Sequence, residues 1–246
     1  SLMTGKREPE ALMVIPHSSM FSTRSLSGEA TRRSARVMYY HLNTPMSAMS
    51  EYRLDGTTLF PKLTLLPSAS VLTRRAWDIL RSAVMKGSTL LITGPIDADE
   101  HWLPVERMKE FGAPATVRPV AQTEFLTIDG SEFQLAFRGE KMQRLQKVAP
   151  AGGATTDVLT IPLGNGRIIR ASLPVENSDT VEPTVALYSF ALRQSGILPI
   201  FTAGKEKNSS VLVAPTIFDQ SILYTFVSEC DRDTDLSITD AATGTT

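Results

Sequence analysis

The first hundred residues carry apolar runs that are continuous where a half-exposed strand would alternate. Ala11-Leu-Met-Val-Ile-Pro16, Leu63-Thr-Leu-Leu-Pro67 and Thr89-Leu-Leu-Ile-Thr93 each have the pattern of a strand covered on both faces. Helical spacing fills the gaps between them. After a polar loop from His17 to Leu26, Ser27 is placed to cap a helix, with Glu29 in its positive first turn. Ala30, Val37, Met38 and His41 recur along one face of it, and Asn43 and Pro45 predict its end or a kink. Ser68 or Ser70 is expected to cap a second helix. Its apolar face is Leu72, Ala76, Ile79, Leu80 and Ala83, and Gly87 supplies the left-handed residue that stops it. Gly94-Pro95 then closes the third strand. Strand, helix, strand, helix, strand at this spacing predicts an α/β fold, a parallel sheet with helices on both faces.

From about Val117 the period changes from helical to alternating. Thr123 to Ile128 and Glu132 to Phe137 flank Asp129-Gly130, a hairpin signal. Val158 to Leu163 and Arg167 to Leu173 flank Gly164-Asn165-Gly166, a second one. Pro183 opens a further helix with Val185, Tyr188, Ala191 and Leu192 inward and Gly196 as its stop. Val211 to Val213, Ile222 to Val227 and Leu236 to Thr239 then predict short antiparallel strands. The organisation expected is a linker or cloning junction over 1–10, an α/β domain with inserted hairpins over 11–197, and a β-strand extension over 198–246. The polar tail Asp240 to Thr246 is expected to be a cut within a longer chain.

Composition narrows the function. Lys and Arg number 25 against 26 Asp and Glu, a formal net charge of −1, so electrostatics gives no reason to expect nucleic acid or an anionic membrane as partner. Arg32, Arg33 and Arg36, like Arg74 and Arg75, fall on expected helices, where a solvated face competes with a phosphate site. No apolar run approaches the roughly 20 residues that span a bilayer. A single cysteine, Cys230, excludes an internal disulfide and any multi-cysteine metal site without fixing the compartment. It is expected to be a small, half-buried apolar residue. No cofactor motif is present.

Taken in order, these residues resemble the class I glutamine amidotransferase-like, flavodoxin-like domain, and more narrowly the version behind the catalytic barrel of bacterial family 42 β-galactosidases. The resemblance rests on Val14-Ile-Pro-His-Ser18, Leu63-Thr-Leu-Leu-Pro-Ser68, the block Ala83 to Gly94, Gly166-Arg-Ile-Ile-Arg170, Leu173-Pro-Val-Glu-Asn-Ser178 and Glu182-Pro-Thr-Val-Ala-Leu-Tyr188. It covers residues 11 to 197, and the segment from Leu198 onward resembles the first strands of a small β-sandwich. The resemblance implies a non-catalytic structural or oligomerisation domain, with an upstream catalytic barrel as partner and a homo-oligomer formed through the parent enzyme.

Departures from the family support that implication. The cysteine nucleophile of catalytic amidotransferases would fall on Gly94, which has no side chain to attack with. Glycoside hydrolysis needs paired carboxylates, about 5 to 5.5 Å apart when configuration is retained. The Asn-Glu pair that carries the family's acid/base glutamate is absent from the sequence. Two loops still hold candidate ligands. Asp97, Asp99, Glu100 and His101 follow the third strand at the end where open α/β sheets place their sites, for a metal or a sugar, or simply as a solvated acidic loop. His17, Ser18 and Ser19 occupy the loop after the first strand and suit an anion, although glycines are missing there. Trp102 is a candidate exposed sugar contact, Trp77 a core residue, and Asn208-Ser-Ser210 a glycosylation acceptor. The alternatives to a structural domain are a divergent amidotransferase-like hydrolase using these loops and a carbohydrate-binding accessory module using the C-terminal strands.

Overall fold

The computed structural model describes residues 9–21, 26–111, 115–138, 142–147, 157–204, 210–218, 221–241 and 243–246. β1 (Ala11–Ile15) leads into a single turn, α1 (His17–Met20), and then α2 (Ser27–Arg36), which continues as a π-helical turn over Val37–His41. β2 (Ser47–Ser50), β3 (Leu63–Leu66), α3 (Arg74–Met85) and β4 (Thr89–Thr93) follow. Four inserted strands come next: β5 (Ala115–Pro119) pairs with β8 (Gln143–Lys147), and β6 (Thr123–Ile128) pairs with β7 (Ser131–Ala136). β9 (Val158–Leu163), β10 (Gly166–Ala171) and α4 (Glu182–Gln194) complete the main body. β11 (Phe201–Ala203), β12 (Val211–Ile217), β13 (Ile222–Ser228) and β14 (Ile238–Asp240) form two antiparallel pairs, β11 with β14 and β12 with β13.

The main sheet has six strands in the order β2-β1-β3-β4-β10-β9, all parallel except β9, which returns against β10. The continuous apolar runs become its centre because both faces are covered. Met13, Leu65, Leu91 and Ile169 point to one side, where Val37, Met38, Leu187, Tyr188 and the β6–β7 hairpin residues Leu126 and Leu135 meet them. Leu12, Leu66, Leu90, Ile92 and Ile168 point to the other, onto Ala76, Trp77, Leu80 and Val84 of α3. Among the described residues no helix is long and apolar enough to cross a membrane.

The turns obey the local chemistry. Asp129 and Gly130 both have positive φ (50° and 80°), the pairing a two-residue hairpin requires. Gly166 starts β10 where an added Cβ would collide with the carbonyls of Ser88 and Val84, so only glycine lets the β9–β10 turn close against the end of α3.

Two expected helix caps are overturned. Ser27 is inside α2, whose N-cap is Leu26 with no side-chain bond; the Ser27 hydroxyl instead donates to the Ser68 carbonyl (2.8 Å). Neither Ser68 nor Ser70 caps α3. Thr73 does, accepting from Ala76 N (3.1 Å), because Ser68 is held at φ 44° with its hydroxyl on a buried carboxylate, and Leu72 packs just ahead of the helix. The last strand also lies slightly later than expected, at Ile238–Asp240. The glycosylation acceptor begins at Asn208, outside the described residues.

Candidate functional site

The carboxyl ends of the parallel strands carry two buried glutamates that sequence reasoning passed over. Glu176 follows β10 in a 3-10 turn and is 1% exposed. Hydroxyls surround its carboxyl group: Tyr188 at 2.7 Å on Oε1, Ser68 at 2.8 Å on Oε2, and Thr93 at 2.8 Å from both oxygens. Tyr188 in turn meets Ser34 Oγ (2.6 Å), and Ser34 Oγ also lies 2.7 Å from the Ala30 carbonyl. Burial pushes the Glu176 carboxyl above its ordinary value, and the hydroxyl donors only partly oppose this. Burial, and then the neighbouring Glu176, pushes Tyr188 well above the ordinary phenol value. Tyr188 donates to Glu176 Oε1, and Ser34 donates to the Ala30 carbonyl, so the carboxyl group is held by hydroxyls that are themselves fixed by α2 and α4.

Glu51, 2% exposed, follows β2 and ties three loops together. Its Oε1 accepts from Ser18 N after β1, and its Oε2 accepts from Thr73 N at the start of α3 (2.9 Å). Ser19 Oγ adds a second clasp, bonding both the carbonyl and the amide of Val71. His17 lies above this layer, its Nδ1 2.9 Å from Ser50 Oγ and its ring stacked on Tyr52 at 6.0 Å. The Tyr52 hydroxyl reaches Ser18 Oγ at 3.0 Å.

The acidic loop after β4 is built for shape. Asp99 accepts from the amides of His101 (2.9 Å) and Leu103 (3.0 Å), while Trp102 N donates to its carbonyl. Burial alone would raise the Asp99 carboxyl, but those two amides outweigh it and hold the group low. Glu100 accepts from its own amide and from Arg74 N, which also lower it. Asp97 is half-buried, and burial raises it. Arg107 closes the loop from inside. Its guanidinium bonds the carbonyls of Ile96, Ala98 and Leu72 and lies 5.8 Å from the Trp77 ring centre.

The candidates therefore form two groups. His17 and Ser18 join Glu51 and Tyr52; Asp97, Asp99 and His101 form a separate turn. Glu51 and Glu100 bring the two groups to consecutive amides, Thr73 N and Arg74 N. Among the described residues no set of three or more His, Cys, Asp or Glu is placed to hold a metal. Gly94 has φ 70° and donates its amide to the Ala171 carbonyl (3.1 Å); a Cβ there would sit 3.3 Å from Pro174 Cβ. That position faces a proline ring where a nucleophile would need a base. Trp77 is core, 5% exposed, Trp102 is half-exposed, and Cys230 is partly buried.

No family model matches the sequence, and a search of curated proteins finds no match. Similar solved structures exist. A family 42 β-galactosidase from G. stearothermophilus aligns with 85% of this chain and 33% of its own, at 14% identity and a TM-score of 0.63. The β-galactosidase from Bacillus circulans sp. alkalophilus aligns with 89% of this chain and 35% of its own, at 12% identity and a TM-score of 0.65. The polyextremophilic enzyme of the haloarchaeon Halorubrum lacusprofundi aligns with 96% of this chain and 40% of its own, at 12% identity and a TM-score of 0.56. At these identities the likeness is one of fold. The chain spans roughly a third of the length of the structures it resembles.

Proposed function

We propose that this chain is a non-catalytic structural domain of a larger, β-galactosidase-type glycoside hydrolase, whose catalytic carboxylates lie outside it. One observation carries the reading: nearly all of this fold corresponds to only about a third of several β-galactosidase chains. The site geometry supports it. Glu51 and Glu176 are both bound to protein donors, Asp99 shapes its own loop, and Gly94 offers no nucleophile. The parallel strands run β2-β1-β3-β4-β10, which is the 2-1-3-4-5 order of flavodoxin-like sheets and supports the amidotransferase-like assignment of residues 11–197. Residues 198–246 then open a β-sandwich, and the domain contributes subunit contacts to its parent. The test is hydrolysis by the chain itself. It is expected to cleave neither aryl β-galactosides nor glutamine. Turnover that disappears in Asp99→Ala or His101→Ala would replace this reading with a hydrolase on the same fold.

A further inference from the structure

We propose that β13 is an open sheet edge on which a second copy of this chain pairs, strand to strand and antiparallel. The pairing specifies the subunit contact of the proposed function and rests on that reading for its setting in a parent enzyme; its geometry is independent of it.

Among the described residues β13 has one ladder partner, β12. β12 is the inner strand: Val211 and Val213 are buried, and it packs against the π-helical turn that ends α2. The ribbon is pinned to the body of the fold. The Tyr224 hydroxyl bonds Asp240 (2.6 Å) and its ring meets Phe201 edge-on, while Glu229, just past the strand, holds Tyr40 (2.7 Å) and Arg36 (3.0 Å). Two strands alone are marginal in water, and an uncharged edge without proline invites a third. β13 carries no charge, proline or glycine, and its Leu223, Phe226 and Val227 are 50%, 51% and 47% exposed.

The ladder fixes which backbone groups face outward. At its two ends Phe218 N donates to the Ser221 carbonyl and Glu229 N to the Ser210 carbonyl. Bonded residues alternate along an antiparallel pair, so Leu223, Thr225 and Val227 also bond β12. Ile222, Tyr224, Phe226 and Ser228 therefore turn their N–H and C=O groups away from it. Pro215, which has no N–H to give, stands opposite Tyr224, as that alternation requires.

This edge is complementary to itself. With a two-fold axis at Thr225, Ile222 pairs with Ser228 and Tyr224 with Phe226 across the contact, and every outward group of both strands finds a partner. Moving the axis to Tyr224 or Phe226 leaves Ser228 or Ile222 outside the ladder. The axis at Thr225 also sets Leu223 of each copy against Val227 of the other at a close, non-bonded site. The exposed apolar side chains then cover one another and no like charges meet.

Sedimentation of the whole chain across a range of concentrations is the test. A single strand pair buries less than the roughly 1,200 Å² at which stable interfaces begin, so a monomer–dimer equilibrium with Kd about 10–100 μM is expected. Phe226→Pro removes an outward N–H and leaves the β12 ladder intact. It is expected to weaken dimerisation about tenfold or more, with an unchanged Tm in dilute solution. Register is read by air oxidation of single-cysteine chains in a Cys230→Ser background. Thr225→Cys meets itself at the axis and is expected to form a disulfide-linked dimer, whereas Leu223→Cys is not. A chain that stays monomeric at about 500 μM, well above the expected Kd, would overturn the proposal and leave the edge to a different strand. So would a dimer that Phe226→Pro leaves intact, or equal cross-linking at the two positions. None of these results touches the parent assignment, which fails separately if the full reading frame encodes no catalytic barrel.

Discussion

Glu176 offers the sharpest prediction about how the sheet's carboxyl end is held. Replacing it with alanine strands the hydroxyls of Ser68, Thr93 and Tyr188 in a site that is 1% exposed. Each buried hydroxyl left without its partner costs about 1–3 kcal/mol, partly relieved because Tyr188 keeps Ser34, so Glu176→Ala should cost about 3–5 kcal/mol. Glu176→Gln keeps the volume and an oxygen that accepts from the surrounding hydroxyls, so its cost should stay below about 1.5 kcal/mol. The two differ in pH dependence. Burial raises the folded-state pKa of Glu176 above the ordinary 4.5, so the folded protein binds more protons than the unfolded chain once pH passes that value. The stability this gives is fully present below the unfolded pKa and is lost as pH rises through the folded one, at no more than about 1.4 kcal/mol per pH unit. Glutamine has no such dependence. Urea unfolding followed by circular dichroism between about pH 5 and pH 8 should show Glu176→Gln gaining on the parent as pH rises. A stability difference that stays flat across that range, or moves in favour of the parent as pH rises, would refute the raised Glu176 carboxyl.

Leu91, 1% exposed at the centre of β4, cannot accept a carboxylate, and Leu91→Asp should abolish the cooperative melting transition; an unchanged Tm would refute the sheet assignment. Arg144 joins Glu124 to Asp157 and Ser172 in a largely buried network, so Arg144→Ala should cost about 3 kcal/mol in urea unfolding. Burial would raise Glu124, but Arg118, the Ala121 amide and Arg144 outweigh it and hold it low. Its contribution should therefore be present above its unfolded pKa and fade as pH falls through the folded value, opposite in sense to Glu176. Deleting residues 11–197 from the full reading frame should lower the oligomeric state seen by light scattering; an unchanged mass with an intact barrel would remove the assembly role.

The central strands were legible because strands covered on both faces need unbroken apolar runs, and β1, β3 and β4 have them. β2 was not, since Ser47-Ala-Met-Ser50 is a short polar edge strand with one side open to water, and nothing in its pattern separates it from a loop. The cap of α3 was misread for a related reason. Ser68, Ser70 and Thr73 are equivalent by local chemistry, and the choice among them falls to Glu176, which draws Ser68 away from across the sheet. Both buried glutamates were missed because an isolated Glu ordinarily marks the surface. The signal for them was weak: Glu176 ends the apolar run Leu173-Pro-Val, and Glu51 follows the polar stretch Ser47-Ala-Met-Ser50, which marks no element by its pattern. The His17 and Asp99 loops were correctly placed at the carboxyl end of the sheet. That Asp99 spends its carboxylate on backbone amides, while His17 and Ser18 bond the side chains of Ser50 and Tyr52, was visible only in three dimensions.

The central claim is that chemistry lies outside this chain, and comparing aryl β-galactoside turnover by the full reading frame with turnover by residues 1–246 tests it most directly. Turnover by the full protein, lost on mutating a carboxylate pair in a preceding barrel and absent from residues 1–246, is the result expected. Turnover by residues 1–246 alone, or a full reading frame with no such barrel, would contradict it.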